Sequence, residues 1–350
     1  MSATRDGRPI NVAIVGTGGI FRLAHGPAWK RLGRANVVAT CDVLASRAEE
    51  AKATVGAREA FTDFGEMLKA VPEIEVVDIC TPSDTHAEFS LRALKAGKHV
   101  ICEKPMALTP ADALRVQEAA REAGRHVLVG HTRRFDPRWL HLKDQLQSGR
   151  IGEAVSIRRT ERSWGAFPAG DWHWDPNRSG GVLMDVGVHV ADFFSWFMED
   201  EPQDVFAEAR SVRPEAKATG CNDFALVHIG FPGDRRGILE VSWAHPKEYA
   251  PFYSTTEILG TKGKLTLTDQ GAAPMTIIRG GGGIEIPRYG PMLSAVPEAF
   301  EAELNHFLDC IEGLAEPRIS PHQARLAVQV VAAAYESIKT GRTVRLGEVA

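Results

Sequence analysis

Short apolar runs without alternation punctuate the first part of the chain: NVAIV (Asn11–Val15), VVATC (Val37–Cys41), VVDIC (Val76–Cys80), HVIC (His99–Cys102) and VLVG (Val127–Gly130). A strand covered on both faces needs such a run, because neither face meets water. Between them, HAEFSLRALKAG and TPADALRVQEAAREAG carry apolar residues at helical spacing. Thr109-Pro110 followed by Asp112 reads as a helix start and Gly124 as its stop. Strands alternating with helices predict a parallel sheet with right-handed crossovers and helices on both faces.

Past Gly130 the texture changes. A helix is predicted from Pro137 to Ser148, followed by a loop dense in tryptophan and proline from Trp164 to Pro176. Strand-like segments then recur without intervening helices: AVSIRRTE, DVFAEARSV, FALVHIGF, GILEVSW, TTEIL and KLTLT. They predict a mostly antiparallel sheet. Val296–Ile311 and Gln323–Lys339 are apolar at helical spacing and should cover that sheet or pack back on the first domain. Arg279–Gly290 is too glycine-rich to be read as a strand.

Composition narrows the function classes. At 350 residues, two domains are expected. The formal charge of -4, from 41 basic and 45 acidic side chains without long runs of either sign, argues against nucleic-acid and membrane-surface partners. The start, MSATRDGRPI, lacks an apolar signal core, and no uninterrupted apolar stretch approaches the roughly 18 residues of a spanning helix. A cytoplasmic location is the expectation. The 5 cysteines are scattered without a CxxC pair, which argues against a disulfide framework and a zinc site.

Three constellations carry chemistry. Gly16-Thr17-Gly18, continuing through Gly19 and Ile20, follows the first strand and opens a helix, the context in which backbone N–H groups seat a dinucleotide pyrophosphate. Phe21 stands where the usual fingerprint has its third glycine. Asp42 closes the second strand, 26 positions after Gly16; a carboxylate there accepts ribose hydroxyls and repels a 2′-phosphate, favouring NAD, with NADP as the alternative through Arg47. Glu103-Lys104-Pro105 brings a cation to the carboxyl edge of the parallel sheet, where such sheets bind ligands, although the triplet alone is as often an ion pair. Asp185 and His189 stand four apart, on one face if the segment is helical, with Asp192 a turn further and Gly180-Gly181 ahead.

Taken together, these motifs resemble the glucose-fructose oxidoreductase, inositol dehydrogenase and rhizopine catabolism family (Gfo/Idh/MocA), from about Asn11 to Leu346. The resemblance implies an α/β chain: a Rossmann doubly wound parallel sheet over residues 1–130, and an α+β domain with a mostly antiparallel open sheet over 131–350 that binds substrate and self-associates. It implies NAD(P)-dependent oxidation of a secondary hydroxyl on a sugar, cyclitol or derivative, by a homo-oligomer, dimer or tetramer. Lys104, Asp185 and His189 are then the catalytic group. Thr81-Pro82, His86 and Glu103 lie beside the cofactor, and Trp172, Trp174 and Asp175 line the substrate site, with His173 where many relatives carry arginine. Two other readings stay open: a glycosidase-type enzyme that oxidises transiently with tightly held NAD, and a sensor that binds NAD and sugar without turnover. Ser179 lacks a nucleophile elbow, and His173, His189 and Asp185 lack zinc-ligand spacing.

Overall fold

The apolar runs of the first part are strands of one sheet in the computed structural model, which describes residues 8–246, 252–268, 275–279, 283–286 and 295–349. β1 (Ile10–Val15), β2 (Ala35–Cys41), β3 (Glu59–Phe61), β4 (Val76–Ile79), β5 (His99–Glu103) and β6 (Val127–Gly130) are all parallel, in the order β3-β2-β1-β4-β5-β6. Strand order reverses between β1 and β4, so the crevice beyond their carboxyl ends is where a ligand is expected. The connections supply α1 (Gly26–Arg31), α2 (Ala45–Val55), α3 (Phe64–Ala70), α4 (His86–Lys95) and α5 (Pro110–Ala123). Every residue of β4 and β6 is buried, as the unbroken apolar runs require.

The second sheet is built mainly from hairpins. β7 (Ala154–Ser163), β8 (Asp204–Arg210), β9 (Phe224–Phe231), β10 (Arg235–Ser242), β11 (Phe252–Gly260), β12 (Gly263–Thr268), β13 (Met275–Arg279), β14 (Ile284–Glu285) and β15 (Val344–Arg345) lie in the order β14-β13-β12-β11-β7-β10-β9-β8-β15. Among the described residues, the β7–β10 pair is the only parallel one in this sheet. One face alternates into a core with α6 (Pro137–Gln147), α8 (Val188–Met198) and α9 (Pro214–Thr219), and the short α7 (Pro176–Ser179) precedes α8 in the chain. Much of Arg279–Gly290 lies outside the described residues; within it β13 ends and β14 forms.

Two compact units result: Met1–Ala107 with Ala111–Asp136 and Ser294–Arg325, and Leu108–Pro110 with Pro137–Leu293 and Leu326–Ala350. The packing therefore departs from a single boundary at 130/131: the first unit runs on to Asp136 and takes back Ser294–Arg325, while Leu108–Pro110 group with the second. α10 (Ala295–Ile311) belongs to the first unit, where Leu304, Phe307 and Leu308 join the core under β1. Arg31–Glu301 and Arg34–Asp309 ion pairs, at 2.5 and 2.6 Å, fix it against the segment after the glycine motif. α11 (Pro321–Thr340) begins in the first unit, and its Leu326–Ala334 stretch enters the core of the second.

Among the described residues one helical stretch, Pro176–Met198, is long and apolar enough by composition to cross a membrane, and 72% of its apolar window is buried inside the fold. A helix apolar on nearly all sides is the kind a large core encloses. Its Phe194 packs so closely on β10 that a Cβ at Gly237 would lie 2.5 Å from the ring. Gly237→Ala should therefore cost about 1–3 kcal/mol of stability through overpacking. A denaturant midpoint equal to that of the unsubstituted chain would contradict this packing.

Candidate active site

The carboxyl edge of the parallel sheet is closed around a glycine. β1 runs into Gly16, whose φ of +83° suits only a residue without a Cβ. A Cβ there would lie 2.7 Å from the Cys80 carbonyl and the Thr81 nitrogen. Gly16 N–H donates to Cys41 O at 2.8 Å, so one residue joins the ends of β1, β2 and β4. At Gly18 and Gly19 the opposite holds: a Cβ would meet nothing within 4 Å, which leaves the approach to the helix start open. The chain is helical from Gly19 to Arg31, through a π-helical turn at Phe21–His25. Gly26 N–H closes that turn on Phe21 O, and the Phe21 ring sits 2.9 Å from where a Gly26 Cβ would be. The glycine missing at position 21 thus has a counterpart at 26. This arrangement fits a dinucleotide: a closed glycine turn, an open approach and a helix N-terminus.

Asp42 is 8% exposed and turned toward this loop. Its Oδ2 accepts from the Thr17 N–H at 2.9 Å and the Thr17 hydroxyl at 3.1 Å, while Oδ1 accepts from the Leu44 N–H at 3.0 Å. A carboxylate offers about four lone-pair sites, so the loop leaves it little more than one for a ribose hydroxyl. His86, expected beside the cofactor, is buried. Its ring nitrogens lie 2.7 Å from Pro105 O and 2.9 Å from Thr81 O, and burial lowers its pKa. Its contacts tie the Thr81-Pro82 turn to the Lys104-Pro105 turn and leave no ring nitrogen for a ligand.

Glu103 ends β5 and is buried, whereas Lys104 is half-buried, and the Lys104–Pro105 peptide is cis. Glu103 Oε2 accepts from the Lys104 N–H at 3.1 Å and Oε1 lies 2.9 Å from His25 Nε2. His25 Nδ1 lies 2.9 Å from Asp78 Oδ2, which also accepts from Trp29 Nε1 at 2.6 Å. Glu303, on α10, is fully buried beside this group and accepts from the Thr132 hydroxyl at 3.1 Å. Burial alone would lower the His25 pKa, but Asp78 and Cys80 outweigh it and hold the imidazole well above its usual range. Burial would raise Glu103; the hydrogen bond and charge of His25 pull it below the usual carboxylate range. Burial and the Glu103 charge push Glu303 well above that range. Sequence reasoning missed His25, Asp78 and Glu303. The available signal was Asp78, a carboxylate inside the otherwise apolar run VVDIC.

In the second unit, Gly180 and Gly181 (φ +67° and +66°) turn the chain into the helix. A Gly181 Cβ would lie 2.9 Å from Asn222 O, and the Tyr335 hydroxyl donates to Gly180 O. Asp185 falls in a π-helical turn, Leu183–Gly187, and His189 in the first turn of α8. Asp185, Val186 and His189 are half-buried, while Leu183, Met184, Gly187, Val188 and Val190 are buried. Asp192 is buried. In the tryptophan loop, Trp172 is half-buried and the His173 ring lies 3.7 Å from Phe167, with Nδ1 held by Asp171 at 2.5 Å. Trp174, expected to face substrate, is 1% exposed among Phe167, Trp243 and Arg213, so it builds the loop and offers no open ring face. Asp175 caps α7 by accepting from the Asn177 N–H at 2.9 Å.

The parallel sheet, its glycine turn and the lysine at its edge define a nicotinamide-dinucleotide oxidoreductase class. Residues 10–131 match the oxidoreductase family, NAD-binding Rossmann fold, and residues 139–266 match the GFO/IDH/MocA C-terminal domain. The chain belongs to the Gfo/Idh/MocA family of NAD-binding oxidoreductases. It is 28% identical to myo-inositol 2-dehydrogenase of Thermotoga maritima, over 97% of this chain and 99% of that protein. It is 29% identical to scyllo-inositol 2-dehydrogenase (NAD(+)) of Bacillus subtilis, over 89% of each. An oxidoreductase from Agrobacterium radiobacter, solved with NAD+, L-tartaric acid and magnesium, superposes with a TM-score of 0.86 over 97% of this chain and 99% of that one; at 24% identity it shows the fold alone.

The buried charges set the pH dependence of stability. His25, raised in the fold, contributes fully below its ordinary 6.5, and that contribution is lost as pH rises through its folded value. Glu303, also raised, makes the fold less stable as pH climbs from 4.5 toward its folded value. Glu303→Gln stays neutral and removes that second loss. Its melting temperature relative to the unsubstituted chain should therefore rise between pH 5 and pH 9. An offset independent of pH would contradict a protonated Glu303.

Proposed function

We propose that the chain oxidises a secondary hydroxyl of a cyclitol or related sugar ring, with NAD preferred over NADP. The observation that carries this reading is that Asp185 and His189 stay half-buried between the buried Leu183, Met184, Gly187, Val188 and Val190, in a chain that also places Lys104 directly after the end of β5. Removing hydrogen from an alcohol requires a base for the oxygen's proton. His189 takes that proton; Asp185 orients the ring and stabilises the imidazolium that forms. The Lys104 Nζ donates to the substrate oxygen and stabilises the developing alkoxide. When bound, the nicotinamide supplies the acceptor for the two electrons and the hydrogen leaving the carbon. Gly16, Thr17, Gly18, Gly19 and Ile20 would hold its pyrophosphate, and Asp42 its ribose.

The ring-polyol substrate class rests on the inositol 2-dehydrogenases among the relatives and on D-glucoside 3-dehydrogenase of Escherichia coli, 33% identical over 55% of each chain. NAD preference rests on the negative charge of Asp42, which faces a 2′-phosphate unfavourably. The second unit binds substrate through Trp172 and its loop and carries self-association. In support of the latter, Leu259, Ile278 and Ile284 are exposed in one cross-strand row of β11, β13 and β14, with Lys264 of β12 between them.

Absorbance at the reduced-nicotinamide band, across cyclitols and sugars with NAD and NADP in parallel, tests the activity. Turnover with a ring polyol and NAD is expected, and His189→Asn should lower kcat by about 10²- to 10⁴-fold while NAD affinity holds. Silence across the panel despite measurable NAD binding would overturn the reading.

A further inference from the structure

One buried imidazole lies outside the proposed chemistry yet touches its machinery. His25 is 1% exposed, and both its ring nitrogens lie 2.9 Å from carboxylate oxygens, of Asp78 and Glu103. An ionised carboxylate only accepts, so each ring nitrogen that bonds one must carry a proton, in line with the raised pKa of His25. The chain of contacts is continuous. Trp29 Nε1 donates to Asp78, His25 joins Asp78 to Glu103, and the other Glu103 oxygen holds the backbone N–H of Lys104. On the far side of Lys104, Pro105 O lies 2.7 Å from His86 Nδ1, so the lysine leaves the strand between two anchored points.

A metal reading of the same place is weaker. His25, Asp78 and Cys80 offer donor atoms within 4.8 Å of one another. The Asp78 oxygen facing His25 already takes two N–H bonds, however, and burial pushes the Cys80 thiol up to about 12, where it keeps its proton.

We propose that His25 is a positioning residue for Lys104, acting through Glu103. His25 is the last residue of the π-helical turn entered from the glycine loop, so the segment that would seat the cofactor's phosphates and the strand end at Glu103, next to Lys104, share one imidazole. Removing it frees the Glu103 carboxylate to turn, and with it the acceptor that holds the Lys104 N–H. The proposal rests on the assignment of Lys104 to the reaction, and its test separates the two.

In protein whose lysines are reductively ¹³C-methylated, the Lys104 resonance is identified by its loss in Lys104→Arg. Its shift and titration midpoint are then read in His25→Asn and, as a variant that keeps side-chain size, in Glu103→Gln, each checked for folding by circular dichroism. Both variants should move the Lys104 resonance. In parallel, kcat should fall by roughly 10²-fold, the scale of a small misplacement of a reacting group, with little change in KM for NAD. A moved resonance with unchanged kcat would support the positioning and remove Lys104 from the reaction. An unmoved Lys104 resonance in either folded variant would overturn the proposal.

Discussion

The missing Cβ at Gly16 is the constraint around which the first unit closes. Side-chain volume there would fall on the Cys80–Thr81 backbone at 2.7 Å, and the ends of β1 and β4 could not meet. Because they do meet, Asp42 can reach back to Thr17, His86 can bridge Thr81 and Pro105, and His25 can reach Glu103. The first two contacts link the ends of neighbouring strands, β2 to β1 and β4 to β5, and the third ties the helical turn after β1 to the end of β5. The edge at which open parallel sheets bind ligands is here a continuous hydrogen-bonded frame.

That frame buries charge, which ordinarily works against stability. Breaking a buried ion pair by deleting one partner typically costs about 3–5 kcal/mol, because the survivor is left uncompensated. The chain limits this cost by composition. His25 is paired on both nitrogens, Glu103 on both oxygens, and burial beside Glu103 pushes the Glu303 carboxyl well above the usual carboxylate range, toward its neutral form. An apolar replacement would pack as well, but it could not fix the orientation of Glu103. Such an arrangement is consistent with retention for positioning.

Much of the fold was legible because burial on both faces writes itself as unbroken apolar runs. NVAIV, VVATC, VVDIC, HVIC and VLVG all proved to be strands of the parallel sheet. β3, β14 and β15 escaped notice because segments of two or three residues carry no periodicity, and the five-residue β13, which runs into the glycine-rich segment, escaped with them. The apolar pattern of α10 announced a helix but could not say which core it would join, and it joined the first. The π-helical turns at Phe21–His25 and Leu183–Gly187 leave no residue signature, since they differ from α-helix only in which carbonyl each N–H finds. Among the site residues, Gly16, Asp42 and Glu103 sit at strand ends as the spacing required. The aromatic count of the Trp164–Pro176 loop could not tell the half-buried Trp172 from the buried Trp174. His25 was opaque because a lone histidine on an apolar helix looks like a satisfied core residue until Asp78 and Glu103 are found beside it.

The claim on which the functional account turns is that hydrogen passes from a ring carbon of a polyol to the bound coenzyme. Incubation with NAD and an inositol deuterated on its ring carbons, followed by mass spectrometry of the coenzyme, tests it most directly. The account predicts deuterium on the reduced nicotinamide. Reduced coenzyme without label, or coenzyme that binds and stays oxidised with every deuterated cyclitol and sugar tried, would contradict it.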